Sequence, residues 1–242
     1  MDLFQQEAQE IGLRTHQDIG VGMIRCALSK FDKFGKKVRR VVFAAPCSYG
    51  KTITAAYIMQ NAVKNGKKCI FICDRIQLIN QTVETLDRYG IDCGVEQGQH
   101  ERCKPWAKIQ IASLQTLQAR KRLPDADLIL IDEAHVVYSY VKDLMEKFNA
   151  CIFIAFTGTP YSKGMGKYYQ DLVVPITPRE LEEKGFLTPV EYFIGRTIDT
   201  SKVGSQALKT GGSEFRANDL SDAIDKDEKL NGDLIHNWVK HA

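Results

Sequence analysis

A short loop of mostly small residues carries the strongest chemical signal in this sequence. It joins an apolar run to a segment with helical spacing, and it consists of Ala45, Pro46, Cys47, Ser48, Tyr49, Gly50, Lys51 and Thr52. Backbone N–H groups of such a loop, with the first turn of the helix, can surround phosphate oxygens. In that arrangement Lys51 reaches the terminal phosphates of a nucleotide and the Thr52 hydroxyl coordinates Mg²⁺. The alternative is a strand-to-helix turn that contains Gly-Lys-Thr by chance.

Two adjacent carboxylates form the second signal. Asp132 and Glu133 directly follow the apolar run 128–131, and Ala134 and His135 come next. Because ligands of parallel sheets bind beyond the carboxyl ends of the strands, Asp132 is placed to hold Mg²⁺ through water. Glu133 is placed to orient an attacking water and to take its proton. The alternative is an acidic strand end that only caps the next helix, and the presence of the phosphate loop weakens it.

The third signal is a turn of two threonines and a glycine after the apolar run 151–156. Thr157, Gly158 and Thr159 lie where hydroxyls could sense the γ-phosphate and pass its state to neighbouring elements. Taken alone, this stretch is better explained as an ordinary turn. Like the two preceding motifs, however, it stands at the end of an apolar strand.

Apolar runs and amphipathic segments alternate through residues 41–156. Two segments with helical spacing, 51–62 and 76–89, predict helices. Because the apolar runs are continuous and not alternating, they predict a parallel sheet covered by helices on both faces. The predicted strands are 41–45, 69–73, 108–112, 128–131 and 151–156.

The pattern changes after Pro160. Thr177 and Glu180 form a capping box with Pro178 at the first helical position, which predicts a short helix that stops at Gly185.

Beyond that helix, residues 189–198 are expected to be extended, residues 199–213 to form a mobile loop rich in glycine and serine, and residues 219–242 to be helical. We therefore divide the chain into a domain at 1–198 and a loop and helix at 199–242. The last helix ends abruptly, so a further domain is expected to follow.

The overall composition is that of a globular protein without membrane spans. Apolar residues make up 44% and charged residues 26% of the chain, and no apolar run approaches the ~18 residues that a membrane span needs. With no visible signal peptide and seven irregularly spaced cysteines, we expect reduced thiols in a cytoplasmic protein. The net charge of +3 permits a nucleic-acid partner without requiring one. A metal site at Cys93, His100 and Cys103 is an alternative that no paired C-x-x-C supports.

The three motifs, in this order, resemble those of superfamily 2 helicases. The loop 45–52 resembles their motif I, residues 132–135 their DEAH-type motif II, and residues 157–159 their motif III. The resemblance implies an α/β fold, namely a RecA-like P-loop NTPase domain that binds ATP and Mg²⁺ and hydrolyses ATP. The residues that it implicates in catalysis are Lys51, Asp132, Glu133 and His135, the last of them in coupling motif II to motif III.

Two flanking stretches extend this resemblance along nearly the whole chain. Residues 13–17 resemble an upstream LR-x-x-Q element, which implies that Gln17 reads the adenine edge with help from Arg14. Residues 185–189, which read Gly-Phe-Leu-Thr-Pro, resemble the G-x-L-x-P stretch that follows the first motor domain of the family.

Two further stretches imply a path for nucleic acid. Residues 73–75 with Gln81 resemble motif Ia, and residues 113–116 resemble motif Ib. Both motifs line the nucleic-acid track in the family. The contacts that the resemblance implies fall on Arg75, Gln81, Ser113 and Gln115.

Within the superfamily, the chain is most similar to the type III restriction (Res-subunit-like) and RadD-like helicases. This similarity implies DNA, single-stranded or branched duplex, as the partner, in a bacterial or phage-infected cell. DEAD-box RNA helicases fit less well, because motif II ends in His135. Two residues depart from the family pattern. Ser48 stands where glycine is usual, which is costly if that position needs a positive φ, and Tyr49 is expected to shield or crowd the nucleotide.

A second RecA-like domain, with the arginine of motif VI, does not follow in this sequence. We therefore expect such a domain, in a longer chain, to be the partner of this one. The leading hypothesis is an ATP-driven DNA helicase or translocase. The alternatives left open are the motor part of a restriction enzyme, an RNA helicase, and a non-motor, ATP-dependent nucleic-acid-binding module.

Overall fold

The chain forms two compact units, and the boundary between them lies after Leu187. A computed structural model describes residues 9–121, 125–134, 139–161, 164–189, 204–207, 213–215 and 218–219. The first unit is Met1–Leu187 and the second is Thr188–Ala242. The division at residue 198 that the sequence suggested thus lies beyond the boundary that the contacts define.

A seven-stranded parallel sheet forms the centre of the first unit. Its strands are β1 (Arg40–Ala44), β2 (Cys69–Cys73), β3 (Gly94–Glu96), β4 (Ile109–Ser113), β5 (Leu128–Ile131), β6 (Ile152–Thr157) and β7 (Asp171–Val173). The strand order is β3-β4-β2-β5-β6-β1-β7, and every pair is parallel. The five predicted strands are confirmed, with three of them shifted by one residue. The sequence did not predict the two edge strands, β3 and β7, because a strand of three residues carries too little pattern.

Helices cover both faces of the sheet, as predicted. They are α1 (Thr15–Ser29), α2 (Lys51–Lys64), α3 (Ile76–Arg88), α4 (Leu114–Arg120), α5 (Ser139–Lys147) and α6 (Pro178–Glu183). Successive strand residues point to opposite faces. Phe71 belongs to one apolar cluster with Met59 of α2 and Ile79 of α3, whereas Ile70 belongs to a second cluster with Leu117 of α4 and Leu144 of α5. The two faces therefore carry separate apolar cores, which hold the strand ends in fixed positions.

The predicted short helix after Pro160 is confirmed with its capping box. The Thr177 hydroxyl accepts from the Glu180 N–H, and the Glu180 carboxylate accepts from the Thr177 N–H. The helix ends at Glu183, and Gly185 follows with a φ of 72°.

In the second unit, Ser205–Ala207 pairs antiparallel with Ser213–Phe215. The expectation of a loop across 199–213 is therefore wrong for Ser205–Ala207 and for Ser213, since a strand of three residues gives no recognisable pattern in a glycine- and serine-rich sequence. The extended segment predicted at 189–198 lies outside the described residues after Pro189. The helix predicted at 219–242 lies outside them after Asp219.

Among the described residues, no helix is long and apolar enough to span a bilayer. Within the same ranges, no three His, Cys, Asp or Glu side chains are grouped as metal ligands would be.

Candidate nucleotide-binding site

The phosphate loop connects β1 to α2 and contains two residues in the left-handed region. Ser48 has a φ of 62° and Gly50 a φ of 93°. Position 48 thus does require a positive φ, and a serine there carries a conformational cost that a glycine would not. At Gly50 the restriction is also steric, because a Cβ would lie 2.3 Å from Nε2 of Gln17. Backbone turns of this kind direct successive N–H groups toward one point and favour anions.

The buried side chain of Tyr49 fixes the phosphate loop to the apolar core. Its side chain is fully buried, its hydroxyl donates to the His16 carbonyl at 3.0 Å, and its ring packs edge-on against Phe43. Burial raises the pKa of the phenol, which keeps it neutral. The expectation that Tyr49 shields or crowds the nucleotide is therefore wrong, because the ring belongs to the core and points away from the loop surface.

Lys51 and the third motif meet at the start of the loop. The Lys51 ammonium donates to the carbonyls of Ala45 at 3.2 Å and Pro46 at 3.3 Å. The Ala45 N–H donates to the Thr157 carbonyl at 2.9 Å, which ties the loop to the end of β6. A Cβ on Gly158 would lie 4.0 Å from the Lys51 ammonium. The structure therefore brings motifs I and III together.

The acidic motif is fixed by backbone bonds to the strands on either side. The Asp132 N–H donates to the Ile72 carbonyl and the Ala134 N–H donates to the Phe156 carbonyl, both at 2.9 Å. The Asp132 carboxylate accepts from the Glu133 N–H at 3.0 Å. Burial raises the pKa of Asp132, against the opposing effects of that N–H and of the nearby Lys51 ammonium.

Glu133 has a φ of 48°, an unusual conformation for a residue with a side chain. Strained backbone of this kind clusters at functional sites. His135 lies outside the described residues, so its predicted coupling to the third motif stays a prediction.

The donor set available near the loop suits Mg²⁺. Thr52, half-buried at the first turn of α2, offers a hydroxyl, and Asp132 offers a carboxylate. Hard oxygen donors of few protein residues are what Mg²⁺ takes beside nucleotide phosphates. A cation there would also offset the burial of the Asp132 charge.

The two threonines of the third motif, Thr157 and Thr159, differ in their exposure to solvent. Thr157 is fully buried, and its hydroxyl accepts from the Thr159 N–H at 3.0 Å, so it shapes the turn. Gly158 and Thr159 are exposed at the surface of the turn. Of the two threonines, only Thr159 is exposed, so only its hydroxyl is open to a phosphate at this surface.

Residues 13–17, the predicted adenine-recognition element, are hydrogen-bonded directly to the phosphate loop. The buried Gln17 amide donates to the Tyr49 carbonyl at 3.0 Å and accepts from the Arg14 N–H at 2.9 Å. One amide hydrogen and one oxygen lone pair of Gln17 remain after these two bonds. His16, which the sequence did not single out, places Nε2 3.3 Å from the same Tyr49 carbonyl. A lone histidine in a helical segment gives no sequence signal for such a role.

Of the four predicted nucleic-acid contacts, Ser113 is buried, whereas Arg75, Gln81 and Gln115 are exposed. The buried Ser113 donates to the Gln115 side chain at 2.8 Å, and Gln115 donates to the Asp74 carbonyl at 2.8 Å. Ser113 also caps α4 through the Thr116 N–H. These two residues therefore connect motif Ib to motif Ia. Arg75 and Gln81 are exposed at the start and in the middle of α3.

Comparison with known proteins identifies relatives of the first unit. Residues 10–162 match the family described as type III restriction enzyme, res subunit. A "51.5 kDa protein" of Lactococcus phage (isolate 7-9) is 24% identical over 205 residues, which cover 82% of this chain. The chain spans 40% of the length of that phage protein.

Solved structures of helicases and of a restriction-modification enzyme share the fold. The UvsW helicase of bacteriophage T4 is 15% identical with a TM-score of 0.54, over 67% of this chain and 60% of that one. The Type ISP restriction-modification enzyme LlaGI, solved as a nuclease-deletion mutant with a DNA substrate mimic, is 15% identical with a TM-score of 0.55, over 72% of this chain and 21% of that one. The Pyrococcus furiosus Hef helicase domain is 22% identical with a TM-score of 0.50, over 69% and 39% of the two chains. The seven-stranded parallel sheet is thus the RecA-like fold of helicase motor domains.

Proposed function

Since the chain belongs to the family of type III restriction enzyme res subunits, we propose that it is an ATP-hydrolysing motor domain that moves on or unwinds DNA. One observation carries this proposal. The phosphate loop, the acidic motif and the third motif meet at the carboxyl edge of one sheet. The Ala45 N–H donates to the Thr157 carbonyl, and the Ala134 N–H donates to the Phe156 carbonyl next to it. A site that binds a nucleotide triphosphate and senses its γ-phosphate needs these three parts together.

ATP binding would use the loop backbone from Ala45 to Gly50 and the side chain of Lys51. Its ammonium would exchange two neutral carbonyl partners, those of Ala45 and Pro46, for charged phosphate oxygens. Gln17 would meet the adenine edge with its remaining hydrogen and lone pair, and the exposed Arg14 would lie beside it.

Hydrolysis would rest on the two carboxylates. Glu133 would orient a water for in-line attack on the γ-phosphorus and accept its proton, while the bond to the β-phosphate oxygen breaks. Thr52 and Asp132 would hold Mg²⁺, which neutralises charge on the phosphates when bound. His135 and the turn 157–159 would report the loss of the γ-phosphate to the rest of the motor.

DNA would cross the same edge near Arg75 and Gln81, which are exposed there. Contacts with phosphates position a strand without reading its sequence, which suits a motor that must move along any DNA. LlaGI was solved with a DNA substrate mimic, which supports DNA as the partner, and the T4 UvsW protein is a helicase, which supports a motor. A second RecA-like domain would complete the motor by supplying an arginine to the γ-phosphate.

The proposal is tested by labelled-ATP binding and by phosphate release with single-stranded, duplex, forked and RNA substrates. Lys51→Ala should abolish or greatly weaken ATP binding. Lys64→Ala is the matched control, since it removes the same charge from the other end of α2, where the exposed side chain pairs with Glu10. Equal ATP affinity in the two variants would refute the nucleotide site. If the longest chain that can be produced binds ATP but shows no DNA-dependent ATP hydrolysis, a binding module is favoured over a motor.

A further inference from the structure

The ring of Phe186 contacts two side chains that precede Gln17 at the start of α1. The Arg14 guanidinium carbon is 4.9 Å from the ring centroid, and the His16 ring meets Phe186 edge-on at 4.6 Å. Phe186 is 38% exposed, so the stack with Arg14 is open to solvent on one side. A guanidinium over an aromatic face at this distance is held by electrostatic attraction to the ring.

The caps of α6 place Phe186 at this point. Thr177 and Glu180 fix the start of the helix with their capping box. At its end, the Gly185 N–H donates to the Glu182 carbonyl and the Phe186 N–H donates to the Leu181 carbonyl. This pair of bonds, with glycine at a φ of 72°, is the Schellman motif and sets the direction in which the chain leaves the helix. The capped ends of α6 thus fix the position of the Phe186 ring.

From Phe186 the contacts continue to the phosphate loop. His16 packs edge-on against Tyr49 at 5.1 Å, and its Nε2 lies 3.3 Å from the Tyr49 carbonyl. The Tyr49 hydroxyl donates back to the His16 carbonyl at 3.0 Å. The same Tyr49 carbonyl accepts from Gln17. Phe186 therefore supports both Arg14 and the histidine beside Gln17.

We propose that Phe186 is a positioning residue for adenine recognition, which holds the Arg14 guanidinium beside the base. This inference rests on the proposed function, because it takes Arg14 and Gln17 as the residues that face adenine. Phe186 itself acts through Arg14. Its loss therefore weakens the binding of adenine nucleotides and leaves the phosphate chemistry intact.

The test compares ATP and GTP dissociation constants of the 242-residue chain and its variants. Phe186→Ala should raise the constant for ATP about two- to fivefold, the range for a solvent-exposed cation–π contact, and change that for GTP less. Phe186→Trp should restore ATP affinity, since tryptophan provides the strongest such contact. Phe34→Ala is the matched control, because Phe34 is also exposed and has Lys33 over its ring at 5.0 Å, away from the loop.

A double-mutant cycle separates positioning from general stability. If Phe186 acts through Arg14, Phe186→Ala has no further effect on ATP affinity once Arg14 is alanine. Additive effects, or equal losses for ATP and GTP, would overturn the inference. ATP binding that depends on Lys51 but not on Phe186 would overturn this inference alone, whereas absence of Lys51-dependent binding would overturn the proposed function with it.

Discussion

The side-chain amide of Gln17 donates to the carbonyl of Tyr49 across 3.0 Å, and the same amide nitrogen occupies the space beside Gly50. The start of α1 and the phosphate loop therefore form one unit, although 32 positions separate the two residues. Because the Tyr49 carbonyl is held from outside the loop, the position of the N–H groups proposed to bind phosphate depends also on the element proposed to face adenine.

Gly50→Ala adds a single methyl group, but it should both destabilise the protein and weaken ATP binding. The new Cβ would sit 2.3 Å from Gln17 Nε2 at a φ of 93°. We expect a loss of about 1–3 kcal/mol in the free energy of unfolding, the usual cost of such strain, together with a clear loss of ATP affinity. Gly66→Ala is the control, because Gly66 has a φ of 73° but nothing within 4 Å of the new atom. Denaturant unfolding and nucleotide titration measure both effects, and equal losses of ATP affinity would contradict the steric argument.

Glu133→Gln should retain ATP binding and lose turnover. The amide keeps the shape of the side chain and can still orient water, but it has no carboxylate to accept the proton. We expect phosphate release to fall by at least about 100-fold under conditions in which the wild-type protein turns over. Glu84→Gln, on the exposed side of α3, should leave the rate unchanged. Near-normal turnover in Glu133→Gln would show that another group takes the proton.

Arg75→Ala should weaken DNA binding to a similar extent for unrelated sequences. If its guanidinium contacts one phosphate, the slope of log affinity against log salt should become shallower by about 0.7 on single strands and about 0.9 on duplexes. Arg88→Ala removes the same charge from the last turn of α3 and serves as the control. A loss confined to one DNA sequence, or an equal change in both variants, would argue against a phosphate contact at Arg75.

Stability should fall in acid because of His16. Burial is the largest influence and lowers the pKa of His16 below its usual 6.5, and the positive charges of Arg14 and Lys184 act in the same direction. The bond with the Tyr49 carbonyl opposes this shift. Since the unfolded chain binds the proton more readily, the free energy of unfolding decreases as the pH falls through the unfolded pKa, until the folded imidazole is protonated as well.

Urea unfolding between about pH 8 and about pH 5, which spans the usual histidine pKa, measures this loss. His16→Gln keeps an amide donor for the Tyr49 carbonyl and does not titrate. Its loss of stability over the same range should be smaller than that of the wild-type protein. Identical pH profiles would assign the acid sensitivity to other groups.

Much of the site could be predicted because its parts are local in sequence. The phosphate loop, Asp132 with Glu133, and Thr157 each follow a continuous apolar run, and the runs predicted parallel strands. Parallel strands bring their carboxyl ends to one edge, so the meeting of these motifs followed from the strand pattern alone. The capping box at Thr177 was equally local, and it is present in the structure.

Other features depend on contacts between distant residues, and no local pattern encodes those. The sequence suggested that Tyr49 faces the nucleotide, but its ring lies in the core because Phe43 and the His16 carbonyl offer it apolar contact and a hydrogen bond there. Ser113 and Gln115, which resemble nucleic-acid contacts, hydrogen-bond to one another, and the exposed Gln115 also donates to the Asp74 carbonyl.

The sequence by itself determined the type of sheet and the edge at which its chemistry lies, since strand periodicity and strand-end motifs are properties of short segments. Only the tertiary structure decided which side chains support that chemistry. Phe186, which follows α6, contacts Arg14 and His16 at the start of α1, although these residues lie far apart along the chain. Such contacts are set by the shape of the whole core, which no single stretch of sequence specifies.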